Sequence, residues 1–151
     1  MQRRLLIQSL AATASTSALP LLAQTAKPQV EVWKDPSCGC CKDWIAHMQS
    51  SEFAVKSHDS GNTAARARLG LPQRLGSCHT ALVGGYVVEG HVPASDVKRL
   101  LKERPKALGL AVPGMPVGSP GMDGPEYGGR KDRYDVLLVQ ADGSSRTFSR
   151  Y

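Results

Sequence analysis

Aromatic side chains are scarce in this chain of 151 residues, where they make up 5% of the sequence. The composition therefore disfavours a surface of many stacked aromatic rings, such as single-stranded nucleic-acid binders use. Charged residues reach only 21%, which does not fit a disordered polyelectrolyte. Four cysteines are too few for a disulfide-dense scaffold. With 41% hydrophobic residues, the chain is predicted to form one small globular domain.

Long runs of like charge are also missing. The formal charge is +6, but the basic residues are scattered and interleave with Asp and Glu. Arg3 and Arg4 belong to a predicted N-terminal signal peptide, and its removal would lower the net positive charge further. We therefore expect no nucleic-acid partner.

No apolar run reaches the roughly 20 residues that a membrane span requires. At the N-terminus, Arg3 and Arg4 precede an Ala-, Leu- and Ser-rich stretch that ends in small residues. This pattern is typical of an export signal peptide, with an ordinary amphipathic helix as the alternative. We expect a signal at 1–26, a mature domain at 27–151, a periplasmic location and no stable membrane span. The two arginines fit a general secretory or a twin-arginine route.

Alternating and helical patterns of apolar residues give the order of elements in the mature chain. They predict a strand at 30–33, a helix ending near Ser50, a strand at 53–58, a short helix capped by Asn62, a hairpin at 81–88 and a helix between Pro93 and Pro105. This is the order of a thioredoxin-like α/β fold. In thioredoxins a cis-proline packs against the active-site sulfurs just before a Thr that leads into the hairpin. Here Cys78 and His79 precede the corresponding Thr80.

The rest of the chain differs in composition. Residues 108–122 are rich in Pro and Gly, which predicts a loop and argues against a helix or a central strand. Residues 135–140 and 145–151 are separated by turn-forming residues, and they predict a closing β-hairpin.

Three of the four cysteines, Cys38, Cys40 and Cys41, lie at the predicted start of the first helix. Unpaired backbone N–H groups and the helix dipole favour thiolates there, which serves thiol–disulfide exchange and metal binding alike. Two static disulfides in an oxidising compartment are a third interpretation. Exchange needs only Cys38 and Cys41, and it leaves Cys40, Cys78 and His79 without a role.

Binding of a soft metal would use all four thiols, because thiolates select Cu(I), Zn(II) or iron–sulfur clusters. A single tetrahedral zinc ion fits less well, since adjacent Cys40 and Cys41 project about 100° apart at a helix start. Thiolates that bridge several Cu(I) ions tolerate this divergence, and four of each sum to zero charge. We therefore expect a multi-cysteine Cu(I) site holding several ions, with His79 as a nearby ligand or proton partner.

Other sulfur and imidazole groups are weaker candidates. Met115 and Met122 lie on the Pro/Gly-rich loop, where they are candidate thioether ligands for Cu(I) or packing residues. His91 is expected at a surface or strand end, with a metal role as the alternative. His47 and His58 are expected to be structural or solvated.

Three segments, Val30 to Met48, Ser77 to Ala94 and Gly109 to Met122, together closely resemble the CopG-type family of small exported metal-binding proteins. That family is associated with bacterial copper-resistance genes and is distinct from the DNA-binding repressor of the same name. The resemblance implies a thioredoxin-like periplasmic protein that binds copper, with a role in handling Cu(I) and Cu(II). We expect copper ions and other periplasmic copper-handling proteins as its partners. It implies copper ligation by four cysteines, Cys38, Cys40, Cys41 and Cys78. A thiol:disulfide oxidoreductase is the alternative.

Overall fold

The computed structural model describes residues 26–151. Seven strands are formed in this range: β1 (Gln29–Lys34), β2 (Ala54–His58), β3 (His79–Val83), β4 (Tyr86–Glu89), β5 (Gly109–Ala111), β6 (Asp135–Val139) and β7 (Ser145–Arg150). The helices of the same range are α1 (Gly39–Ser50), α2 (Thr63–Arg68) and α3 (Ala94–Glu103). The predicted signal peptide falls outside the described residues except for Ala26.

The strands form one mixed sheet in the order β2-β1-β3-β4-β5-β6-β7. β1 pairs in parallel with β2 and antiparallel with β3, and β3 and β4 form a hairpin. The α/β class is therefore confirmed, and the order of elements through α3 is the one that the sequence predicts. β5 to β7 extend the sheet beyond β4, and the predicted closing hairpin corresponds to β6 and β7.

A hydrophobic core lies between one face of the sheet and the helices α1 and α3. Trp44 and Met48 from α1 are fully buried in it, as their helical spacing predicts, and Leu100 joins them from α3. The Trp44 indole N–H donates a hydrogen bond to the Val92 carbonyl oxygen at 2.9 Å. Burial of each such side chain contributes about 1.5–3 kcal/mol, so this core fixes α1 and its N-terminus against the sheet.

The opposite face of the sheet carries a second apolar cluster, built from Leu71, Leu75, Val87, Ala111 and Val139. The segment after α2 supplies the two leucines and covers this face. Among the described residues, no helix has the length and apolarity needed to cross a membrane.

The prediction of a loop throughout 108–122 is wrong at 109–111, which forms β5 between β4 and β6. A Cβ atom at Gly109 would lie 1.8 Å from the Val87 carbonyl oxygen. Glycine therefore permits the close approach of β5 to β4, although glycine weakens most strands. Pairing on both sides decides the structure of this short segment.

Candidate metal centre

The helix side of the candidate site begins at a tight turn after β1. The Asp35 side chain accepts a hydrogen bond from the Ser37 N–H at 2.8 Å, and its carbonyl oxygen accepts one from the Cys38 N–H at 3.1 Å. Cys38 is the extended residue that precedes α1, and Cys41 lies within its first turn. These two cysteines form a disulfide with a Cα–Cα distance of 5.4 Å.

The four cysteines meet where α1 begins beside β3. Cys40 Sγ lies 3.6 Å from Cys38 Sγ and 3.9 Å from Cys78 Sγ. Cys41 Sγ lies 3.6 Å from the Cys78 carbonyl oxygen. All four Sγ atoms are within 4.8 Å of one another, so two segments distant in the sequence contribute to one cluster of sulfur atoms. Cys40 and Cys78 are free thiols.

Two imidazoles lie on the sheet side of this cluster. Cys78 Sγ is 3.3 Å from His79 Nδ1 and 3.0 Å from His91 Nε2. Both rings are 0% exposed, and the expectation that His91 lies at the surface is therefore wrong. Cys78, His79 and His91 form a second group whose ligand atoms could hold a metal ion.

The hydrogen bonds of His91 define its tautomer. His91 Nδ1 lies 2.8 Å from the Pro120 carbonyl oxygen, which can only accept a hydrogen bond. Nδ1 therefore carries the proton, and the lone pair of Nε2 faces Cys78. Burial lowers the pKa of His91, which keeps the ring neutral at pH 7. Such a partner on the far nitrogen is typical of metal-ligating histidines.

His79 is also held neutral. Burial lowers its pKa well below the ordinary value, and His91 adds to the effect. Its ring packs on Trp44 at a centroid distance of 4.4 Å, and its Nε2 has no hydrogen-bond partner within residues 26–151. An unpartnered buried ring nitrogen is uncommon. The other nitrogen of the same ring, Nδ1, is the one that faces Cys78 Sγ.

Cys78 stays protonated in this environment. Burial, with Cys40 beside it, raises the pKa of the Cys78 thiol from 9.0 to about 12. Its S–H can therefore donate to His91 Nε2. A soft metal ion that binds here must displace this proton, which couples metal binding to proton release.

The Pro/Gly-rich loop crosses the candidate site. The Ser77 hydroxyl donates to the Gly114 carbonyl oxygen at 2.5 Å, next to Cys78. Gly121 has a φ of +85°, and a Cβ atom there would lie 2.6 Å from the Cys40 carbonyl oxygen. Together with the Pro120 contact to the His91 ring, these contacts attach the loop to both sides of the site.

The two loop methionines differ in position. Met115 is 51% exposed, whereas Met122 is buried and its Sδ accepts a hydrogen bond from the Tyr127 hydroxyl at 3.3 Å. Met122 follows Gly121 directly, so the chain places it beside the start of α1. Met115 follows Gly114, at the outer side of the same loop.

The other histidines have structural contacts. His47 Nε2 accepts a hydrogen bond from the Ala94 N–H at 3.0 Å and connects α1 to α3. The His58 ring stacks on Trp33 at 5.2 Å, and its Nε2 lies 2.7 Å from Glu31 Oε1.

Sequence reasoning missed a charged residue behind the site. Glu89 ends β4, is 0% exposed and contacts Arg66, Ser77 and Thr80. Its signal in the sequence was a carboxylate directly after the apolar run of β4.

Taken together, fold and site define a small α/β protein with a cysteine-centred candidate metal site. The family described as "Protein of unknown function, DUF411" matches residues 75–122. Two solved structures, Forms 1 and 2 of the copper resistance protein CopG, each share 44% sequence identity with this chain at a TM-score of 0.76. Each match covers 83% of this chain and 98% of the other. The chain therefore belongs to the CopG-type copper-resistance family. No curated protein sequence matches it.

Proposed function

We propose that this protein binds copper as Cu(I) in its four-cysteine cluster and serves copper resistance in the periplasm. The proposal depends above all on the four Sγ atoms that lie within 4.8 Å of one another. Cys38 and Cys41 join the site as thiolates once their disulfide is reduced. Similarity to a copper resistance protein supports copper as the metal.

The arrangement of the sulfurs supports several Cu(I) ions. Cys40 contacts both Cys38 and Cys78, so its sulfur lies between two others and is placed to bridge metal ions. Soft, polarisable thiolates select Cu(I). A cluster of monovalent ions also balances the charge of four thiolates in a half-buried site, whereas one Zn(II) leaves an excess of negative charge.

The two neutral imidazoles support a redox role in addition to storage. Nitrogen ligands suit Cu(II) better than thiolates alone, and His79 and His91 both face Cys78 Sγ. The Cys38–Cys41 pair exchanges two electrons, so reduction of two Cu(II) ions to Cu(I) would balance oxidation of the two thiolates to their disulfide. Other periplasmic copper-handling proteins would supply or receive the ions.

A native mass spectrum of the reduced protein during titration with Cu(I) tests this function. We expect more than one Cu(I) per chain and a lower count for Cys40→Ser. That variant should still form the Cys38–Cys41 disulfide on oxidation. Met115→Leu is the control, because it deletes an exposed sulfur outside the cluster and should leave the count unchanged. A one-to-one complex that Cys40→Ser does not alter would contradict the proposal.

A thiol:disulfide oxidoreductase is the second candidate, and the Cys38–Cys41 disulfide at the start of α1 favours it. The high pKa of Cys78 argues that this residue does not attack a substrate disulfide without metal. The discriminating measurement is turnover of a dithiol substrate by metal-free protein. Rapid turnover that is unchanged in Cys78→Ser would favour the exchange function.

A further inference from the structure

A buried ion pair lies directly behind Cys78. Glu89 Oε1 accepts hydrogen bonds from Arg66 Nε at 2.9 Å and from the Ser77 N–H at 2.7 Å. Glu89 Oε2 accepts one from the Thr80 hydroxyl at 2.6 Å. A carboxylate without solvent contact is costly unless such partners surround it. Each of its partners belongs to α2 or to the segment that carries Cys78.

Arg66 also binds Ser77, through the Ser77 carbonyl oxygen. Its Nη2 lies 2.7 Å from Glu89 Oε1 and donates to the Ser77 carbonyl oxygen at 2.6 Å. Asn62, expected as the cap of α2, makes no capping hydrogen bond with its side chain. It donates to the same Ser77 carbonyl oxygen at 3.1 Å. Both backbone polar groups of Ser77 are thus held by buried or half-buried side chains.

We propose that Glu89 and Arg66 are positioning residues that hold Cys78 Sγ against Cys40 and His91. The peptide group between Ser77 and Cys78 is fixed through its carbonyl oxygen. On the other side of Cys78, the His79 carbonyl oxygen accepts the Gly90 N–H at 3.0 Å. The metal consequences rest on the proposed function, whereas the position of the thiol does not.

Alkylation of Cys78 tests the position of the thiol directly. In a Cys40→Ser background with the Cys38–Cys41 disulfide intact, Cys78 is the only free thiol among the four cysteines of the sequence. Its reaction with iodoacetamide is followed at one fixed pH, about pH 8, for the parent and every variant. Glu89→Gln removes the ion pair that holds Arg66 on the Ser77 carbonyl oxygen, so it should loosen Ser77 and let water reach the thiol. Alkylation should then be faster by about tenfold or more, equivalent to a barrier lower by about 1.4 kcal/mol.

A second variant protects the test against misfolding. Glu89→Gln alone leaves the Arg66 guanidinium buried and unpaired, so the double change Glu89→Gln with Arg66→Met removes both charges at similar volume. It should give the same acceleration.

The matched control is Asp96→Asn on α3. Asp96 is also a buried carboxylate, and it accepts hydrogen bonds from Ser149 at 2.5 Å and Tyr151 at 2.8 Å. Ser149 lies on β7, four strands away from β3 and Cys78. Urea is added until the parent and the variants have equal unfolding free energies, so that a general loss of stability does not affect the comparison. Under these conditions, Cys78 in Asp96→Asn should be alkylated at the parent rate.

Copper release separates this inference from the proposed function. Reduced, copper-loaded Glu89→Gln protein with all four cysteines should lose its metal to a chelator faster than the parent does. Fast alkylation with unchanged copper release would support the positioning role and contradict Cys78 ligation. Parent-like alkylation in a folded Glu89→Gln or double variant would overturn the positioning role, whatever the copper does. Equal acceleration in Asp96→Asn would also overturn it.

Discussion

The two halves of the candidate metal centre are built in different ways. The helix half, Cys38, Cys40 and Cys41, lies on one short segment that backbone hydrogen bonds and a disulfide hold together. The sheet half, Cys78, His79 and His91, comes from two strand ends and is surrounded by buried polar side chains.

This difference indicates a division of roles. Under the proposed function, ions and electrons would enter at the helix half, because Cys38 and Cys40 are partly exposed and the Cys38–Cys41 disulfide can be reduced. The sheet half presents neutral imidazoles in fixed orientations and is suited to retain an ion.

The largest effect is expected from Cys78→Ser. Three thiolates remain on the helix half, so copper should still bind, but its loss to a competing chelator should be faster by about tenfold or more, the scale of weakened metal-site contacts. Cys38→Ser removes one thiolate from the other half and should accelerate loss less. Equal rates in the two variants would show that the sheet half has no special part in retention.

Gly121→Ala should break the connection between the loop and α1. A left-handed conformation costs about 1–2 kcal/mol with a Cβ atom, and the Cys40 carbonyl oxygen at 2.6 Å adds to this cost. Gly114→Ala is the control, because its φ is +72° but nothing lies within 4 Å of the added Cβ. Urea unfolding should show a larger loss of stability for Gly121→Ala, and equal losses would mean that the loop does not pack firmly there.

His79→Ala and His91→Ala should affect oxidation more than retention. Each change removes a nitrogen ligand for Cu(II), so air oxidation of bound Cu(I) should slow several-fold, which corresponds to about 1 kcal/mol. His58→Ala removes an imidazole that stacks on Trp33 and should leave the rate unchanged. If the rates in both variants match the parent, these rings do not contact the metal.

His47→Gln should flatten the pH dependence of stability in metal-free protein. Burial lowers the folded-state pKa of His47 below 6.5, so its contribution to stability is complete above pH 6.5 and is lost as the pH falls below that value. The slope is at most about 1.4 kcal/mol per pH unit, and glutamine does not titrate in this range. Urea unfolding at about pH 7.5 and about pH 5, on either side of the ordinary His pKa, should give a smaller difference in unfolding free energy for the variant than for the parent.

The smallest effect on stability is expected from Met115→Leu combined with Met122→Leu. The change keeps volume and apolarity, so it should cost less than about 1.5 kcal/mol. If the loop is an entry path, loss of the sulfurs slows copper loading without changing the final count. Single variants then separate the exposed Met115 from the buried Met122. Parent-like loading in the double variant would leave both methionines as packing residues.

Local patterns were sufficient for much of the fold. The apolar spacing of Trp44 and Met48 defined the buried face of α1, and the Gly84-Gly85 dipeptide marked the β3–β4 hairpin. The Gly109–Ala111 strand could not be found in this way, because its stability comes from β4 and β6 on either side.

The candidate site, too, was predictable where local sequence patterns decide the structure and not where distant contacts do. Cys38, Cys40 and Cys41 share one motif, and the order of elements brings Cys78 to them. The burial of His91 could not be predicted, because the group that covers its ring, the Pro120 carbonyl oxygen, lies 29 positions further along the chain. Contacts of this range depend on the path of an irregular loop, which periodicity does not describe.

The disulfide of the helix half has a thermodynamic consequence. The same two sulfur atoms cannot be bonded to each other and also be available as thiolates for an ion, so the disulfide and metal ligation by Cys38 and Cys41 exclude one another. By reciprocal linkage, a ligand that binds only the dithiol form raises the reduction potential of the pair. Each tenfold of such preference corresponds to about 30 mV for a two-electron couple. Under the proposed function, the local concentration of copper would thus set how easily the Cys38–Cys41 disulfide is reduced.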